Sequence, residues 1–143
     1  MNSDFCVAVH AVVYLNHKKE ICSSEQLSEN ICTHPARIRR VLAKLRKSGL
    51  LDAVDSGPKG GYRFTGKPEQ ITLADIAAAL QITFVEPGWR SGNTDMECLI
   101  ASGMGSLMDE VFDDLNTRCQ SRLKEITISD LDYELFGVKN AKK

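Results

Sequence analysis

The segment Thr33–Phe64, THPARIRRVLAKLRKSGLLDAVDSGPKGGYRF, does most to limit what this chain can become. Ile38, Val41, Leu42 and Leu45 recur at i, i+3, i+4 and i+7, the period of one buried helical face. Arg37, Arg40, Lys44 and Lys47 fall on another face, and that face is wholly cationic. Thr33 is placed to cap the helix, Pro35 suits its first turn, and Gly49 suits its end. A solvated helix face ordinarily interleaves both signs so that acids pair with bases. No Asp or Glu stands between Thr33 and Leu51, so the face is read as meeting a polyanion.

Two short strands follow, Leu50–Val54 and Gly61–Thr65, around the turn-forming Ser56-Gly57-Pro58-Lys59-Gly60. A hairpin with Lys59 at its tip and Arg63 nearby can lie along a phosphate backbone or enter a minor groove. An ordinary surface hairpin would look the same in isolation. Upstream, the apolar run from Phe5 to His17 reads as a first helix, with Val9, Val12 and Val13 inward. A second helix starts at Ser23 or Ser24, with Leu27 and Ile31 inward. Helix, helix, basic helix and hairpin is the order of a winged helix-turn-helix, whose third helix reads bases.

Net charge is −1, but its distribution is uneven. Residues 1–67 hold 11 Lys/Arg and 6 Asp/Glu, for a balance of +5; residues 68–143 hold 7 and 13, for −6. One basic half and one acidic half suit DNA binding at one end. No run is long and apolar enough to span a membrane and no signal peptide is evident, so a cytoplasmic protein is expected.

In the second half, TLADIAAAL reads as a short helix capped by Thr72 with Asp75 in its first turn. Val85–Glu97 is rich in turn formers and reads as a mobile loop. A long helix follows from about Gly103 to Leu123. Met104, Met108, Val111 and Leu115 form its apolar stripe, widened by Leu107, Phe112, Cys119 and Leu123. So wide a stripe is read as pairing with the same helix of a second copy, part of it packing on its own chain. Ile126–Leu131 is read as a short returning helix capped by Ser129. The expected class is thus mainly α with a small β-hairpin wing. Residues 1–82 form the winged helix-turn-helix domain (wing about 50–65), 83–98 a loop, and 99–143 the dimerisation and C-terminal helices.

CVAVHAVVYL, SSEQLSEN, RIRRVLAKLRKSGLL, GPKGGYRF, ITLADIAAAL and LKEITISDL are collinear along nearly the whole chain. Together they resemble the Rrf-two (BadM/Rrf) family of winged helix-turn-helix transcription regulators, which includes IscR-, NsrR- and CymR-like proteins, and most of all its YwnA-like branch. The resemblance implies a homodimer joined through the long helix, with two recognition helices and two wings on a palindromic operator of double-stranded DNA. It also implies where cysteines would matter. Cluster-binding branches place three cysteines close together before the long helix, and here only Cys98 stands there. No iron–sulfur cluster and no other cofactor or metal is therefore expected. Cys6 stands about where one branch carries an acidic cluster ligand, so a Cys6–Cys98 site across the dimer stays open.

Of the five cysteines none forms a Cys-x-x-Cys pair, which argues against structural zinc. Cys98, after the loop and at the start of the dimerisation segment, is equally a redox-sensing thiol or a small apolar residue. Cys119 is read as core, Cys32 as packed under the basic helix, and Cys22 as lying exposed on a connection.

DNA-contact roles follow from position. Ser23, Ser24 and Gln26 at the second helix's start suit phosphates. Thr33, His34 and Arg37 lead into the major groove, with Arg37 the candidate bidentate partner of guanine. Arg40 and Lys44 follow the phosphates, and Lys59, Tyr62 and Arg63 belong to the wing. Many members of the resembled family carry arginine before the wing's Gly-Pro, where this chain has Ser56. The sequence shows no nucleophile–base–acid set and no phosphate loop, so no enzyme is expected. The expected function is a homodimeric, sequence-specific repressor responding to redox or reactive species through Cys98. The alternative is the same repressor controlled by a small metabolite or partner protein.

Overall fold

The computed structural model describes residues 2–54 and 60–141, excepting the side chains of 138–141. It forms two units, Met1–Ile82 with Leu123–Lys143, and Thr83–Arg122.

In the first unit, helix α1 (Asn2–Lys18) buries Val7, Ala8, Ala11, Val12 and Leu15 along one stripe. Helix α2 (Ser24–Ile31) opens with a capping box. Ser23 Oγ accepts from the Gln26 amide at 3.1 Å, and Gln26 Oε1 accepts from the Ser23 amide at 2.7 Å. Helix α3 (Pro35–Lys47) has His34, not Thr33, at its N-cap, in extended conformation. Pro35 occupies the first helical turn and holds its predecessor out of the helical region, which moves the boundary one residue along. Gly49, at φ +82°, ends α3 as expected. Its amide reaches Arg46 O, and the Leu50 amide reaches back to Leu45 O, closing a Schellman turn.

Strands β1 (Asp52–Val54) and β2 (Gly61–Arg63) pair antiparallel, with Ala53 opposite Tyr62. Helix α4 (Leu73–Leu80) is capped by Thr72 and Asp75 as expected. Ile38, Leu42, Leu45, Leu15, Leu27 and Ile76 form the centre of the core, where α1 packs against α2, α3 and α4. Burying each such side chain contributes about 1.5–3 kcal/mol.

Helix α6 (Ile128–Ala141) is longer than the sequence suggested. Its cap is Thr127 rather than Ser129: Thr127 Oγ1 accepts from the Asp130 amide at 3.0 Å, and Asp130 Oδ2 from the Thr127 amide at 2.9 Å. Backbone pairing of Thr72 with Thr127 and full burial of Ile128 fasten this helix to the first unit. His17 stacks on Phe136 with ring centroids 4.0 Å apart. The expected grouping of 99–143 is therefore corrected, since the C-terminal helix joins the unit of residues 1–82.

In the second unit, helix α5 (Leu99–Leu123) begins several residues before Gly103. Residues 83–98 contain no helix or strand. Asn116 holds Val85 at both backbone groups, accepting from its amide at 2.9 Å and donating to its carbonyl at 2.8 Å. Arg90 pairs with Asp109 at 2.9 Å.

Two cysteine expectations are overturned. Cys22 is buried, because its backbone exchanges hydrogen bonds with Tyr62 and so turns its side chain into the core. Burial pushes its thiol pKa up. Cys32 is exposed. It occupies the left-handed C-cap of α2 at φ 63°, which carries its side chain outward.

Candidate nucleic-acid interface

The apolar stripe of α3 packs inward, so its cationic residues face out. They do not all stand unpaired, as the absence of local acids had implied. Asp4, from the first turn of α1, takes both nearest arginines. Arg37 donates to Asp4 Oδ1 from Nε at 3.0 Å and from Nη2 at 2.9 Å. Its Nη2 also donates to Ser3 Oγ at 2.6 Å. Arg40 donates from Nη1 to Oδ2 at 2.9 Å and from Nη2 to Oδ1 at 3.2 Å. Hydrogen bonds from Arg40, then from Arg37, outweigh partial burial and hold the Asp4 carboxyl down at about 2. This tie between α1 and α3 is thus fully present above the ordinary value of 3.8 and is lost only as pH falls toward about 2.

Arg39 donates to Ser24 Oγ at 3.1 Å and lies 3.8 Å from Glu25. Ser24 is buried, and its hydroxyl also donates to Glu25 at 3.2 Å. Among the described residues no acid lies within ion-pair distance of Lys44, Arg46 or Lys47. His34 is exposed and makes no side-chain cap bond, while Thr33 beside it is half-buried. Ser23 and Gln26 are engaged with each other in the α2 cap. Arg63 stands 3.7 Å from Asp52 across the hairpin, and Tyr62 bonds through its backbone to Cys22. A cleft of about 610 Å³ runs between the α2 start, the α3 end and the hairpin, lined by Ser23, Ala43, Arg46, Lys47, Gly61 and Tyr62. Lys59 and Ser56 lie outside the described residues.

Sequence reasoning missed Asp4 and Ser3. No local pattern could have found them, because their partners lie more than thirty residues away.

On α5, Leu107, Val111 and Leu115 are 56%, 46% and 40% exposed. Met104, Phe112 and Cys119 are half-buried, and Met108 lies at the edge of exposure. Met108 and Phe112 line a cleft of about 260 Å³ with Pro87, Trp89 and Arg90. Part of the stripe therefore faces its own loop, and the outward part is narrower than the sequence suggested. Cys98 is exposed at the residue preceding α5. Backbone N–H groups of Ala101 and then Ile100 lower its thiol pKa. Cys6 is exposed on α1.

A helix-turn-helix with an attached hairpin defines a winged helix-turn-helix protein. The sequence matches the Rrf2 family, described as "Iron-dependent Transcriptional regulator", over residues 1–133. A Haemophilus influenzae relative named as a putative HTH-type transcriptional regulator is 33% identical over 141 residues, covering 95% of this chain and 85% of its own. The Bacillus subtilis putative regulator YwnA is 25% identical over 136 residues, covering 95% of this chain and 99% of its own. A crystal structure of a putative transcriptional regulator from Lactobacillus plantarum superposes with a TM-score of 0.83 at 25% identity, covering 94% of this chain and 91% of that one. The chain belongs to the Rrf2 family of DNA-binding transcriptional regulators and is not an enzyme. No helix among the described residues is long and apolar enough to cross a membrane.

Proposed function

We propose that the protein is a homodimeric repressor that reads a palindromic operator with α3 and its wing. The observation carrying this is the outward cationic face of α3, with Lys44, Arg46 and Lys47 free of acid partners among the described residues. His34 and Arg37 at its N-terminal end would meet base edges. Lys44, with Arg40 once released from Asp4, would meet phosphates, as would Ser23 and the α2 N-terminus. Ser24, Gln26, Thr33, Tyr62 and Arg63 would frame the contact. The exposed Leu107, Val111 and Leu115 support pairing of α5 with a second copy.

Arg37→Ala is expected to lower discrimination at one base pair by about 1–3 kcal/mol. Lys59→Ala is expected to weaken all sequences alike. Competition binding with single-base operator variants and random duplexes checks this division. Equal losses on both kinds of DNA for both variants would overturn it.

Cys98 is proposed as the signal-receiving thiol. Its exposure and the two N–H groups favouring thiolate support this reading. A peroxide would be the oxidant: the thiolate attacks one peroxide oxygen, the S–O bond forms as the O–O bond breaks, and hydroxide leaves. The product is a sulfenic acid. Cys98→Ser is expected to hold the operator through a mild peroxide treatment that releases the wild type. Release of both alike would end the thiol reading.

No iron–sulfur cluster enters the proposal. A cluster needs several thiolate ligands, the loop before α5 offers one, and no group of three His, Cys, Asp or Glu among the described residues could hold a metal ion. A second reading, control by a small apolar effector, is favoured by a groove of about 850 Å³ in the first unit. Phe5, Val9, Val13, Tyr14, Leu73 and Phe136 line it.

A further inference from the structure

The Asp4 contacts have a consequence for how the protein chooses DNA, on the reading that α3 binds it. Arg37 and Arg40 sit one turn apart with like charge and need a counter-ion in the unbound protein. Asp4 supplies it, in the charge-assisted, paired geometry that a phosphate would use. Arg40 spends its terminal edge on the two carboxylate oxygens. Arg37 commits three of its five N–H groups, two to Oδ1 and one to Ser3. Its terminal edge therefore cannot address a guanine in bidentate fashion until the Ser3 contact opens.

We infer that Asp4 is a specificity-determining residue, an internal competitor for the DNA backbone that withholds Arg37 and Arg40 from any duplex. Binding must exchange the carboxylate for DNA. The released carboxylate then stands beside phosphates, with which it repels, and gathers a cation from solution. That uptake cancels part of the counter-ion release that drives non-specific binding. A matched operator compensates through base contacts, whereas random DNA has nothing to offer in return.

The test measures binding of the full chain to a random duplex and to an operator recovered by selection, by fluorescence anisotropy across a salt series. Asp4→Asn is expected to tighten binding to the random duplex by roughly 3–10-fold at low salt. It should steepen log K against log salt by about 1, the value of one further phosphate contact. The operator-to-random ratio should fall. Asp4→Ser, which also removes the charge, should behave alike, so a folding defect in one variant does not decide the matter. In an Arg37→Gln/Arg40→Gln background, where there is no ion pair to exchange, the same Asp4→Asn change should tighten binding much less and leave the salt slope unchanged. Tightening and steepening of the same size there would reduce the result to a change in net charge and overturn the inference. So would an unchanged salt slope, or weaker binding to both duplexes, which would mean that Asp4 only positions the arginines. Wild-type protein that binds neither duplex would instead overturn the DNA-binding reading itself.

Discussion

Replacing Val111 by glutamate is expected to divide the protein into single subunits and to cost about 100-fold or more in affinity for a palindromic operator. Val111 is exposed on the outward part of the α5 stripe, between Leu107 and Leu115. A carboxylate there would be desolvated on pairing and would face its symmetry mate across a two-fold interface. On the proposed reading of a dimer on two half-sites, each half-site alone would supply too little binding energy, and losing the partner would remove the gain from simultaneous engagement. Sedimentation or gel filtration reads the subunit mass, and anisotropy on the operator reads affinity. The first unit should melt as before, since Val111 is no part of it. A variant that stays dimeric with full operator affinity would refute pairing through this face.

Gly61→Ala is expected to loosen the hairpin and to destabilise the first unit by about 1–3 kcal/mol, near the upper end of that range. A Cβ at this position would lie 2.3 Å from the Cys22 carbonyl oxygen and 2.7 Å from its carbon. Both are backbone atoms, so no side-chain rotation relieves the clash. The backbone pairing of Cys22 with Tyr62 would have to open, uncovering a buried thiol. Thermal unfolding should show a fall of several degrees, on the order of 2–8 °C per kcal/mol for domains of this size class. Binding to random duplex should weaken as well, because the hairpin no longer stands beside α3. An unchanged melting curve would mean that the backbone at Cys22 yields more easily than its hydrogen bonds to Tyr62 suggest.

Much of the fold was legible because its signals are local. The period of Ile38, Val41, Leu42 and Leu45 marked α3 and its buried face, and Thr72 with Asp75 marked the start of α4. Gly49 marked the end of α3 through a backbone conformation that suits glycine. The errors arose where tertiary contacts decide. Cys22 lies in a short connection that only its pairing with Tyr62 buries, and Cys32 is turned out by a left-handed cap that nothing in its neighbours announces. Thr127 displaced Ser129 as the α6 cap because Asp130 completes its box and Thr72 fixes its backbone. The cationic face was legible as composition, but its state of pairing was not. Asp4 reaches it from the other end of the helix-turn-helix, a distance that spacing rules do not cover.

The stitch between Thr72 and Thr127 gives the chain the topology of a graft. It leaves the DNA-reading unit after Ile82 and returns at Leu123, with the point of return sewn to the start of α4. Everything between is a single excursion whose two ends belong to one host. Such an arrangement lets the excursion diverge in length and chemistry while the host keeps its own core.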